Sequence, residues 1–222
     1  MAKGLRCANL PKKSDLNILI PVRFFRSIAV YFQDQGINEQ NEVQRANALN
    51  KMNLTVEYMG KEPHIFLDGK DVTNRLPLQT TERYVSKVSP FPDVRLRAYG
   101  ILKGIASTGN FVVDGRAMHK VFTNPLAAFR LEAEFEERVR RIFLRAIANG
   151  ENVTYEEVYA DAKQREERDQ KNGRFEKSPI ETVIVTTNIT ANKVSKIMKK
   201  HLLRTQSESY KRKETRENAC QL

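Results

Sequence analysis

Apolar positions along the chain switch between short strand-length runs and stripes of helical period. Residues 16–20 form an apolar run closed by Pro21, which reads as a buried strand. Residues 23–35 place Phe24, Ile28, Val30 and Tyr31 near helical spacing and stop at Gly36. The segments 54–58 and 64–67 alternate or run apolar on either side of Gly60, predicting a hairpin. Asp68-Gly69 supplies a second turn, after which Asp71-Val72-Thr73 opens a further segment. A helix is predicted over 80–88, and another from Pro92 through Val94, Ala98 and Ile101, with the proline in its first turn.

The second half is patterned more clearly. A strand over 110–113 delivers Asp114-Gly115-Arg116 at its carboxyl end, and a second strand covers 127–131. Phe135, Val139, Ile142, Phe143 and Ala146 then make one helical stripe. On that helix Glu134–Arg138, Glu136–Arg140 and Glu137–Arg141 are acid-before-base pairs one turn apart, which read as a solvated face. Thr154-x-x-Glu157 is a capping box opening a helix towards Asp169. A last strand is predicted over 183–187, and Val194, Ile197, Met198 and Leu202 stripe a final helix. Strands alternating with helices at these intervals predict an α/β fold with a parallel sheet, the hairpin region at about 51–75 being an insertion. One domain is expected over 1–206, followed by a basic, disordered tail over 207–222.

Composition narrows the function classes. Of 222 residues, 40% are hydrophobic and 29% charged, as in a globular domain, and every apolar run is too short to span a bilayer. Cys7 and Cys220 lie near opposite ends with no CxxC spacing, which excludes a zinc knuckle or a disulfide scaffold and fits a reducing compartment. Lys3, Arg6, Lys12 and Lys13 come without an acid and without the apolar core of a secretory signal. A cytoplasmic location is expected, with an organelle transit peptide left open. The net charge of +11 favours phosphate-rich partners, either nucleotides or nucleic acid.

Candidate chemistry sits in two places. Ligands of open α/β sheets bind beyond the carboxyl ends of strands, where Asp114-Gly115-Arg116 offers a close-passing backbone followed by a guanidinium. In the run Lys163-Gln164-Arg165-Glu166-Glu167-Arg168-Asp169, Arg165 and Arg168 share a helix face and could close over phosphates. Each has a plainer reading, as a strand-to-turn transition and as a solvated helix. His64, His119 and His201 are scattered and form no metal or nucleophile pattern, so no metal ligand is expected. Phe24, Phe25, Tyr31 and Phe32 read as helix packing, not as a base-stacking platform.

Taken in order, the segments resemble the bacterial-type cytidylate (CMP/dCMP) kinases, a family of P-loop nucleoside monophosphate kinases. The resemblance runs through Phe25-Arg26-x-x-Ala29, Gly69-Lys70-Asp71-Val72-Thr73, Val85-Ser86-Lys87-Val88 and Pro92-Asp93-Val94-Arg95. It continues through Val113-Asp114-Gly115-Arg116, Glu136-Glu137-Arg138 and Arg165-x-x-Arg168-Asp169. It implies a parallel sheet with helices on both faces, a nucleotide-binding hairpin insertion and a helical lid at about 155–176. The implied reaction moves the γ-phosphoryl group of ATP, with Mg²⁺, onto CMP or dCMP. By position Arg26, Arg95 and Arg116 match the clamp on the acceptor nucleotide and its phosphate, while Ser86 and Asp169 match polar contacts to the nucleotide. Arg165 and Arg168 match the lid arginines at the transferring group. A monomer with no membrane partner is expected.

The chain also departs from that pattern. Counting back from Arg26 without a gap puts Lys3 on the lysine of the phosphate loop, so about fifteen family residues, the loop glycines and the first, central strand among them, are expected to be absent. Ile20-Pro21-Val22, Pro77, Ala117 and Asn172 replace family residues at the acceptor site and lid. Three readings therefore stand: a cytidylate-kinase-family protein whose sequence is shortened at the start or a divergent member, a non-catalytic relative that binds RNA or another acidic partner through its basic surface, and a decayed gene product that folds poorly. No RNA-binding motif supports the second.

Overall fold

The computed structural model describes residues 17–60, 62–171, 173 and 175–219, and divides the chain into two compact units, one through Val121 and one from Phe122. Its architecture is mixed α/β. In the first unit, Pro21 lacks the N–H that would continue strand β1 (Asn17–Leu19) and its fixed φ suits the first turn of helix α1 (Pro21–Asp34). α1 buries Phe24, Ile28 and Phe32 with Ala29, Val30 and Tyr31, and packs this wide arc against α3 (Gln79–Val88) and α4 (Pro92–Ala106). β1 pairs in parallel with β5 (Phe111–Val113), Asn17 standing opposite Phe111. β2 (Leu54–Met59), β3 (Glu62–Leu67) and the two-residue β4 (Lys70–Asp71) form an antiparallel sheet, as the alternation predicts.

Helix α2 (Glu42–Lys51) was not read from the sequence. Its start is signalled locally, because Asn41 Oδ1 accepts the Gln44 N–H at 3.1 Å, but its weak apolar stripe gives little period to detect. Besides the buried Ala48 and Leu49, a buried cation ties α2 to its surroundings. Arg45, only 7% exposed, donates from Nε to Asp93 Oδ2 at 2.6 Å and from Nη1 to the Glu39 carbonyl at 2.8 Å. Its guanidinium carbon lies 4.1 Å from the centre of the Phe91 ring.

The second unit is built on β6 (Ala128–Glu132) and β7 (Glu181–Val185), paired in parallel from Ala128 opposite Glu181 to Glu132 opposite Val185. The Arg130 guanidinium locks that ladder by donating to Glu181 Oε2 at 2.7 and 2.9 Å. The capping box forms: Thr154 Oγ1 accepts the Glu157 N–H, and Glu157 Oε2 accepts the Thr154 N–H at 2.8 Å, which pulls the Glu157 carboxyl below its ordinary value. It opens α6 (Tyr155–Lys171), which docks on α5 (Phe135–Ala148) through two edge-to-face pairs, Phe135–Tyr159 at 5.1 Å and Phe143–Tyr155 at 5.6 Å.

The charges of α5 correct the sequence reading. They are not simply a solvated face. Glu137 accepts from both Arg140 and Arg141, and these hydrogen bonds hold its carboxyl down at about 2. Arg141 also donates to the Thr186 carbonyl at 2.6 Å, pinning the exit of β7. Arg138 reaches Glu166 on α6 at 2.5 Å, not Glu134. Spacing on one helix cannot show which partners another element supplies. The last helix, α7 (Ala191–Ala219), continues well past residue 206, because the sequence offers it neither Gly nor Pro before its end.

Each parallel ladder is two strands wide: among the described residues β5 pairs with β1 alone and β6 with β7 alone. Each also leaves apolar side chains exposed, Ile18 and Val112 on one face in the first unit, and Val183 and Val185 on one face with Leu131 on the other in the second. Parallel sheets are usually covered on both faces. No helix among the described residues is long and apolar enough to cross a membrane.

Candidate functional site

Helix α1 organises the candidate residues of the first unit. At its start, Asp114 N–H donates to the Leu19 carbonyl at 2.9 Å, which lays the turn after β5 against Pro21. Gly115 is required there: a Cβ at that position would lie 2.8 Å from Pro21 Cγ and 3.1 Å from the Met118 side chain. Arg116 follows, exposed, and Ala117 adopts a left-handed φ of 53°, unusual for a residue with a side chain. Arg26 projects from α1 about 7.5 Å further along the helix axis.

Arg26 is met by Glu82 of α3, whose carboxylate accepts directly from the guanidinium. One turn on, Ser86 is exposed and its hydroxyl donates a long bond of 3.4 Å to the Glu82 carbonyl. Arg95, on the first turns of α4, reaches back with Nε to the carbonyl of Ser89, which caps α3, at 2.9 Å. Arg26, Ser86 and Arg95 are thus all tied to α3, Arg26 through Glu82 in its first turn, Ser86 from its last turn and Arg95 through the Ser89 carbonyl that caps it. Their grouping follows from the packing of α1 on both α3 and α4.

The remaining candidates lie elsewhere. Arg165, Arg168 and Asp169 belong to the second unit, on α6. Arg165 and Arg168 are exposed and on one face, and Arg168 donates to the Gln164 carbonyl. Asp169 is buried, 4% exposed. Lys3 lies outside the described residues. Among the described residues no group of three or more His, Cys, Asp or Glu side chains is placed to hold a metal ion.

Sequence reasoning found the arginines and missed what engages them. Glu82 is 56 residues from Arg26 and belongs to no motif, so only the packing of α1 on α3 reveals it. His64, read as chemically silent, sits 2.9 Å from Asp71 Oδ2 in the hairpin sheet, where hydrogen bonds from Thr73 and then His64 lower the Asp71 carboxyl to about 2. Two surface depressions stand out, one along α7 beside Lys196, Lys200 and Arg204, and one between α2 and α4 beside Leu49 and Arg97. Neither is lined by a predicted site residue.

Residues 2–203 match the family model described as cytidylate kinase. The chain is 30% identical over 162 residues to a cytidylate kinase of Carboxydothermus hydrogenoformans, covering 72% of each sequence. It is 29% identical over 188 residues to that of Pseudothermotoga lettingae, covering 83% of this chain and 81% of the relative. With the cytidylate kinase of Vibrio cholerae the identity is 27% over 195 residues, 86% of this chain and 87% of the relative.

Proposed function

The chain belongs to the cytidylate kinase family, and we propose that it binds CMP or dCMP and accepts onto it the γ-phosphoryl group of ATP. The observation that carries this reading is that Arg26, Ser86 and Arg95 are all tied to α3, through Glu82 in its first turn, from its last turn, and through the Ser89 carbonyl that caps it. In the proposed reaction an oxygen of the acceptor phosphate attacks the γ-phosphorus, and the bond to the β-phosphate oxygen breaks to release ADP. Charge spreads over the transferring oxygens, so positioning and fixed cations do most of the work. Arg26, Arg95 and Arg116 supply guanidinium forks to the acceptor phosphate, and Ser86 a hydroxyl to the nucleotide. Arg165 and Arg168, on a lid at about 155–176, supply cations to the transferring group, and Asp169 a polar contact once the lid moves. Lys3 is assigned to the ATP phosphates. Mg²⁺, when bound, would be held largely by the ATP phosphates and water and would neutralise their charge, since among the described residues no group of three or more His, Cys, Asp or Glu side chains is placed to hold a metal ion.

A coupled assay of ADP release with CMP, dCMP and UMP tests the reading. Turnover with a cytidine monophosphate, falling about a hundredfold in Arg26→Ala and Arg95→Ala, is the expected result. Absence of turnover above a blank without enzyme rejects it.

One observation favours a second reading, that the basic surface holds a polyanion such as RNA. Helix α7 turns Lys193, Lys196, Lys200 and Arg204 to solvent with no acid between Ala191 and Arg204, opposite a packed stripe of Val194, Met198 and Leu202. Binding of a generic RNA that weakens linearly in log–log fashion with salt, without CMP binding, decides for it.

A further inference from the structure

Arg26 and Arg95, two of the cations assigned to the acceptor phosphate, already have partners, and the two partners differ in kind. Arg95 donates to a backbone carbonyl, which is neutral and keeps a second lone pair for other donors. Arg26 faces a full carboxylate. Glu82 reaches it from α3 with its own side chain 52% exposed, while Arg26 is 23% exposed. Glu82 is an exposed residue of α3, whose buried residues are Thr81 and Val88.

We infer that Glu82 is an internal competitor for the anion site at Arg26, occupying the guanidinium until a monophosphate displaces it and so setting the affinity for the acceptor. This inference rests on the acceptor-site reading given above. A phosphate ester arriving at Arg26 must break the Arg26–Glu82 pair and then tolerate a carboxylate beside it. Both effects weaken binding. An exposed ion pair is a small obstacle, and like-charge repulsion near the surface is of the same order. Removing the Glu82 charge should therefore tighten CMP binding by about three- to tenfold. The contact also discriminates between ligands: a dianionic phosphate displaces a carboxylate more readily than a monoanion, and a nucleoside without phosphate has no means of doing so.

The test is calorimetric titration of the full chain with CMP and with cytidine at fixed low salt, for the wild type, Glu82→Gln, Arg26→Ala and the double variant. Glutamine keeps the size and helix propensity of the side chain, and circular dichroism checks that each variant is folded. The expected result is a three- to tenfold lower Kd for CMP in Glu82→Gln, no change for cytidine, and no gain when Glu82→Gln is added to Arg26→Ala. CMP binding seen only in Glu82→Gln supports the inference in its strongest form. Equal CMP affinity in the wild type and Glu82→Gln overturns it and leaves the acceptor-site reading standing. Weaker binding in Glu82→Gln also overturns it, since Glu82 then orients Arg26 for the ligand. A gain shared by cytidine, or one that survives in the Arg26→Ala background, places the effect elsewhere. Failure of every folded variant to bind CMP overturns the acceptor-site reading and this inference together.

Discussion

Neutralising Asp93 should destabilise the first unit more than removing Arg45, although each change takes one member from the same ion pair. Asp93→Asn can still offer Arg45 an amide oxygen but leaves a guanidinium whose side chain is 9% exposed without its anion, beside the Glu39 carbonyl and the Phe91 ring. A buried cation stripped of its partner cannot draw full hydration, and the cost is about 2–3 kcal/mol. Arg45→Met replaces the stem with an apolar chain of similar length and removes the cation altogether. The carboxylate it leaves behind is 32% exposed and accepts the Val94 N–H at 2.9 Å in the first turn of α4, where the helix dipole favours it. Its cost is about 1 kcal/mol, mostly the lost bond and ring contact. Once Arg45 is gone, Asp93→Asn should add little, so the double variant should fall near Arg45→Met, with a coupling of about 2 kcal/mol.

Urea unfolding followed by circular dichroism reads these differences as shifts in midpoint at constant slope. An Arg45→Met variant as unstable as Asp93→Asn, or costs that simply add in the double variant, refutes the reasoning. Either outcome would mean that the pair is solvated and that α2 is held by its apolar contacts.

Three further outcomes follow from single residues. Glu137 has a folded-state carboxyl lowered to about 2, first by Arg140 and then by Arg141, so its contribution is present above its ordinary range and lost as pH falls towards 2; the melting-temperature gap between wild type and Glu137→Gln should close over that window, and a constant gap contradicts the assignment. Ala117→Gly relieves a left-handed φ and should raise stability by about 0.5–1 kcal/mol, read as a higher urea midpoint. Gly115→Ala forces a methyl group against the Pro21 ring and should cost about 1–3 kcal/mol by the same measurement; a neutral substitution would show that the turn after β5 is free to move.

Most of the elements were legible because their signals are local. Pro21 and Pro92 start helices, Gly60 and Asp68-Gly69 turn the hairpin, and Thr154 and Glu157 cap α6, each through atoms only a few residues apart. Helix α2 escaped because its apolar stripe is weak and Arg45 ties it to Asp93, a contact across 48 residues that leaves no periodic trace. Strand pairing was legible only as a class. Alternation of strand and helix predicts parallel pairs, and both ladders are parallel, but the width of a sheet depends on contacts between distant segments.

The candidate site divides along the same line. Guanidinium groups can be read from motifs, since their residue types and spacing are local facts. The bonds they make before any ligand arrives cannot. Arg26 is engaged by Glu82, Arg95 by the Ser89 carbonyl and Arg168 by the Gln164 carbonyl. On the proposed function, binding a phosphate at these residues is an exchange of hydrogen bonds, and its free energy is the difference between old partners and new. Carbonyl partners cost little to replace, because an ionised acceptor makes the stronger bond. A carboxylate is nearly as good an acceptor as the phosphate itself, so the exchange at Arg26 is close to balanced where that at Arg95 is favourable. For that reason the identity of residue 82, which no motif marks, should govern acceptor affinity more than any substitution among exposed residues that touch neither arginine.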